Sequence, residues 1–106
     1  MGVPVKYEII DDDGGPTLIL KDQLTVSDRE VFDTVIDKLL ARKRSKLTVD
    51  LAGLDYMDSA GLGMLLTLRD RAERASAEVV IRRPRSEVRE LLLLACFDSL
   101  FTIEHT

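Results

Sequence analysis

A chain of 106 residues reads as a single domain over residues 1–106, since single cores commonly serve ~100–200 residues. Hydrophobic residues at 45% and charged residues at 32% exclude an intrinsically disordered chain. A net charge of -4 argues against nucleic acid as a partner, and no apolar run approaches the ~20 residues of a membrane helix, so no membrane insertion is expected. With Cys96 alone no internal disulfide can form, and no secretory signal opens the chain, which together predict a cytoplasmic protein.

Val3 to Ile10 alternates side chains with the period of two of a half-buried strand. The turn-rich Asp11-Asp12-Asp13-Gly14-Gly15-Pro16 follows, and Thr17 to Leu20 resumes an apolar, β-branched run, so the chain opens with a hairpin. The acidic triplet reads as a solvated turn; as a calcium loop it fails, because Pro16 and Asp22 stand where a glycine and a bidentate glutamate belong. Ser27-Asp28-Arg29-Glu30 fits a capping box, with Val26 and Val31 as its hydrophobic staple. The helix behind it carries Val31, Val35 and Leu39 beside Phe32, Ile36 and Leu40, and ends in the basic Arg42-Lys43-Arg44-Ser45-Lys46, a solvated end that suits the helix dipole.

Leu47, Val49 and Leu51 predict a third, central strand, and Ala52 to Ser59 a link to the next helix, which runs from Gly61 through Leu65, Leu68, Ala72 and Ala75. Glu78 to Arg82 holds a fourth strand that Pro84 stops. Ser86 then caps a third helix with Val88, Leu91, Leu92, Ala95 and Cys96 on its apolar side, Cys96 being read as a small buried hydrophobe, and Thr102-Ile103-Glu104 closes the series. The order β-β-α-β-α-β-α-β predicts an α/β fold with a mixed sheet of four or five strands and helices packed mainly on one face. Its predicted core is Val31, Val35, Leu39, Val49, Leu51, Leu65, Leu68, Val80, Leu91 and Leu92.

Chemistry concentrates in Tyr56-Met57-Asp58-Ser59-Ala60-Gly61-Leu62-Gly63, where two glycines occupy a helix start, a costly place for them unless packing or a close approach demands it. On spacing alone Asp58 or Ser59 is explained as an N-cap, although the free amides of a helix start would also stabilise a phosphate carried by Ser59. An enzyme with Ser59 as nucleophile is not expected: the one histidine is His105, near the end, and no Gly-x-Ser-x-Gly elbow is present. A phospho-receiver is excluded because the first strand turns into a second strand, not a helix. No cofactor and no metal site is read in the sequence. Met57 and Met64 flank the serine as adaptable contact area or as core filling.

Leu47-Thr48-Val49-Asp50-Leu51, the loop Leu54 to Ser59 and the helix start Ala60-Gly61-Leu62-Gly63 resemble the STAS domains of anti-sigma factor antagonists, and the likeness runs on to Ile103. The resemblance implies that Ser59, the serine of the D-S-x-G-L-G motif, is the phosphate acceptor. It further implies an unphosphorylated form that binds an anti-sigma factor with serine kinase activity, release on phosphorylation, and a serine phosphatase that reverses it. The partner surface so implied contains Asp22, Thr25, Met57, Asp58, Ser59, Gly61 and Leu62. The alternative within the same fold is an interaction module outside sigma control, a signalling scaffold or a subunit of a transporter ATPase. Two features depart from the family pattern. Where relatives carry Gly-x-Leu-Asp this chain reads Asp22-Gln23-Leu24-Thr25, lacking a glycine-permitted backbone and an acidic side chain, and it stops at Thr106 where many relatives have one more helix.

Overall fold

The computed structural model describes residues 5–106. In chain order it contains β1 (Lys6–Asp12), β2 (Gly15–Leu24), a 3-10 turn (Val26–Asp28), α1 (Arg29–Leu40), β3 (Lys46–Met57), α2 (Ser59–Arg74), β4 (Glu78–Arg82), α3 (Ser86–Leu94), a second 3-10 turn (Phe97–Ser99) and β5 (Thr102–Glu104). The five strands form one sheet in the order β1-β2-β3-β4-β5, antiparallel between β1 and β2 and parallel elsewhere. The predicted mixed α/β architecture is therefore observed, with five strands. Of the first predicted strand, Val3 and Pro4 lie outside the described residues.

The core forms on one side of the sheet. Leu18 and Leu20 of β2, Leu47, Val49 and Leu51 of β3, and Val79 and Ile81 of β4 join one cluster with the buried residues of all three helices. Parallel strands laid down one step at a time, with crossovers of one hand, put every helix over the same face. Val80 is buried as well, but on the other face of β4, level with Thr48 and Thr102. Among the described residues no helix is long and apolar enough to cross a membrane.

Four local expectations are corrected, besides that for Ser86, which is the first residue of α3 and not its cap, a place taken by Arg85. The capping box lies two residues earlier than predicted, on Thr25 and Asp28, so α1 is entered through a 3-10 turn and its phase is rotated. Val31 accordingly leaves the core, at 37% exposure, and with Val26 at 57% no buried staple forms. The buried side of α1 is Phe32, Val35, Ile36 and Leu39. The third strand does not end at Leu51: β3 runs on to Met57, held by continued pairing with Lys21 to Leu24, so Ala52 to Met57 is strand and not link.

The fourth correction concerns Cys96, which is exposed and sits at φ 60 just past α3, outside the helical stripe. Each helix ends on such a left-handed residue, Lys43 at φ 54, Ser76 at φ 60 and Cys96 at φ 60, none of them glycine. A left-handed residue lets the last amides turn back onto the helix carbonyls, as Ala77 N–H does to Ala72 at 2.8 Å. The acidic turn and the basic cluster hold one another: Arg42 pairs with Asp11 at 3.0 Å, and Arg44 donates to the carbonyl of Asp13 at 2.7 Å. These charges tie the hairpin tip to the end of α1.

Candidate functional site

The site forms where the ends of β2 and β3 turn into the helices that follow them. Met57, the last residue of β3, is buried at 4% exposure, and Asp58 leaves the strand in an extended conformation as the N-cap of α2. Its carboxylate has two tasks. One oxygen accepts the Gly61 amide at 2.9 Å, closing the helix start, and the other accepts the Val26 amide at 3.1 Å, from the loop after β2. The Asp58 amide in turn donates to the Leu24 carbonyl at 3.3 Å. Asp58 thus clamps two loops that are far apart in sequence.

A second aspartate does the same beneath it. Asp28 is fully buried, and its carboxylate accepts the Thr25 amide and the Val5 amide, both at 2.8 Å. Buried carboxylates are costly unless they accept hydrogen bonds, and these two amides give each oxygen a donor while fixing the start of β1 against the loop. The loop that carries Thr25 and Val26 is therefore held from both sides.

With Asp58 as the cap, the Ser59 side chain is released from that task and lies exposed at the first turn of α2. The two glycines that follow separate into different roles. A Cβ on Gly61 would collide with Met57 Cγ and come within 2.9 Å of the Leu24 carbonyl oxygen, so packing of the helix start on β2 and β3 demands glycine. A Cβ on Gly63 would meet nothing within 4 Å. No internal contact accounts for Gly63, although glycine costs a helix ~1 kcal/mol relative to alanine.

Of the residues expected at a partner surface, Asp22, Thr25, Asp58 and Leu62 are half-buried and Ser59 is exposed, all near the ends of β2 and β3 or on the first turn of α2, whereas Met57 and Gly61 lie inside and shape the site from beneath. Asp22 has φ 70, the left-handed conformation that a glycine would take, so the backbone thought to be missing is present. Aspartate tolerates it better than most residues do. Sequence reasoning missed Val26 and Tyr56, exposed by 57% and 49%. Tyr56 falls in the segment that sequence reads as a link, and a strand that continues to Met57 has no signal in local periodicity.

Loss of the clamp has a measurable cost. Asp58→Ala should lower stability by about 1–2 kcal/mol, at the upper end for a helix cap because the Val26 amide is released too. Urea denaturation checks it, and an unchanged midpoint would contradict the clamp.

Comparison with known proteins places the chain in a family. The family model described as Mlab, STAS domain, matches residues 11–102. The chain belongs to the STAS-domain family. A STAS-domain containing protein of Pseudomonas aeruginosa is 41% identical over 58 residues, a match that spans 55% of this chain and 57% of that relative's length. Among solved structures, an anti-sigma factor antagonist from Mycobacterium paratuberculosis superposes with a TM-score of 0.84 at 17% identity, covering 96% of this chain and 86% of that one. The anti-sigma factor antagonist SpoIIAA in its unphosphorylated form gives 0.72 at 16% identity, covering 96% and 88%. SpoIIAA of Bacillus in the phosphorylated form gives 0.70 at 14% identity, covering 92% and 90%. This STAS domain therefore has the fold of anti-sigma factor antagonists.

Proposed function

We propose that this STAS domain is an anti-sigma factor antagonist in a partner-switching circuit. Its unphosphorylated form binds an anti-sigma factor with serine kinase activity, phosphate on Ser59 releases that partner, and a serine phosphatase restores binding. It acts as a binding protein, not an enzyme. The observation that carries this reading is the division of labour at the start of α2: Asp58 caps the helix and pins the loop, which leaves Ser59 exposed on a rigid base.

The docking face is formed by Ser59 and Leu62 of α2, by Asp58, and by Asp22 and Thr25 from the end of β2, with Met57 and Gly61 supporting them from below. Gly63, one turn beyond Ser59, leaves bare helix backbone on the exposed side, where a partner can approach closely. Phosphorylation adds about -1.5 to -2 charge and a bulky group. The free helix-start amides accommodate that charge in the isolated domain, while an interface shaped for a hydroxyl does not. That SpoIIAA has been solved with this fold in both forms supports a switch that obstructs an interface without refolding the domain.

The direct test is intact-mass measurement after incubation with the cognate kinase and ATP. One phosphate should be added, and Ser59→Ala should abolish the addition; a shift that persists in the variant moves the acceptor elsewhere.

A further inference from the structure

The pairing of β2 with β3 is irregular near the site. Asp22 faces Leu54 and Gln23 already faces Tyr56, so Asp55 is left over as a bulge on β3. A bulge breaks the in-out alternation of a strand and re-aims its side chains. Here two consecutive residues, Asp55 and Tyr56, are turned to solvent, where strict alternation would have buried one of them. Across from them Asp22 gives its carboxylate to Lys6 at 3.1 Å. Lys6, Asp22, Gln23, Asp55 and Tyr56 together line an open groove of about 430 Å³. Lys6 is engaged by Asp22, and among the described residues no cation pairs with Asp55. The groove therefore holds one uncompensated carboxylate beside an exposed aromatic ring.

We propose that this groove is the docking site for an arginine side chain presented by the protein partner. Two carboxylates against one amine leave a net negative charge that a cation would complement. A guanidinium suits the pair better than an ammonium, because its planar fork meets a carboxylate edge-on while its face stacks on an aromatic ring. An anionic surface, lipid or nucleic acid, meets repulsion at the same place. Tyr56 precedes Ser59 by three residues, so the groove continues the face proposed above. The inference rests on that reading for the partner's identity, and adds the chemistry the partner must bring.

Amide NMR spectra of the isolated domain, titrated with N-acetyl-arginine methylamide at constant ionic strength, test the groove without kinase or phosphate. The neutral citrulline analogue and the lysine analogue are the comparisons. The arginine probe should shift the amides of Gln23, Asp55 and Tyr56 saturably and bind about tenfold more tightly than citrulline, the scale of one exposed carboxylate plus one ring. Asp55→Asn and Tyr56→Leu, both at exposed positions, should each remove most of that preference in spectra that remain those of a folded protein. Equal binding of arginine and citrulline, shifts no larger in the groove than at Asp11 to Asp13, or a preference that survives both variants would overturn the proposal. A lysine probe as effective as arginine would overturn the guanidinium assignment. A negative result leaves the Ser59 switch standing, and a failed Ser59 switch leaves the groove standing, so the two are separable.

Discussion

Leu51→Ala should lower stability to chemical denaturation by about 2–5 kcal/mol, the range for truncating a fully buried leucine. Leu51 has no exposed surface and lies in β3, the middle strand of the sheet, where it joins Val49 and Leu47 in the cluster beneath the helices. The loss combines the transfer of the missing methyl groups with the void they leave, and a central strand has little freedom to collapse around it. Leu94, at 83% exposure on the end of α3, provides the contrast. Leu94→Ala should stay within about 0.5 kcal/mol of the parent, as surface substitutions do. A loss below about 1 kcal/mol at Leu51 would contradict its place in the core.

The parts of this fold that the sequence made legible are those governed by local pattern. Alternation and turn residues placed the opening hairpin, helical spacing placed Leu65, Leu68 and Ala72 on the buried side of α2, and the strand-helix-strand order implied parallel pairing. What local pattern did not show depends on partners distant in the chain. β3 extends to Met57 because β2 continues beside it, and the bulge at Asp55 follows from the register of that pairing. The start of α1 was misplaced because Ser27-Asp28-Arg29-Glu30 and the Thr25–Asp28 pair both satisfy capping chemistry. Tertiary contact selects the second, since the Asp28 carboxylate also accepts from Val5. Cys96 was misread because a residue just past a helix continues its apolar run in sequence while leaving its stripe in space. The serine motif was visible, but not that Asp58 reaches across to Val26, nor that Gly61 and Gly63 have different reasons to be glycine.

The second large effect is expected at the interface. Ser59→Asp places a second carboxylate beside Asp58, whose own oxygens are already committed to the Gly61 and Val26 amides. The new charge adds to the one already there, and burying it under a partner surface costs both desolvation and repulsion. Like-charge juxtaposition at an interface reaches several kcal/mol, and about 1.4 kcal/mol is tenfold in affinity. Ser59→Asp should therefore bind at least about tenfold more weakly than Ser59→Ala. Ser59→Ala removes a hydroxyl, adds no charge, and leaves the Asp58 clamp in place, so it should bind constitutively. Both variants should keep the circular dichroism of the parent, because Asp58 and not Ser59 closes the helix start.

The measurement that bears most directly on the proposed switch is calorimetric titration of the proposed partner, an anti-sigma factor with serine kinase activity, with the parent domain, its Ser59 phospho-form, Ser59→Ala and Ser59→Asp. Tight binding by the parent and Ser59→Ala, together with at least about tenfold weaker binding by the phospho-form and Ser59→Asp, is the predicted result. Equal affinities across all four would contradict it, removing Ser59 from the interface and favouring an interaction module that does not switch.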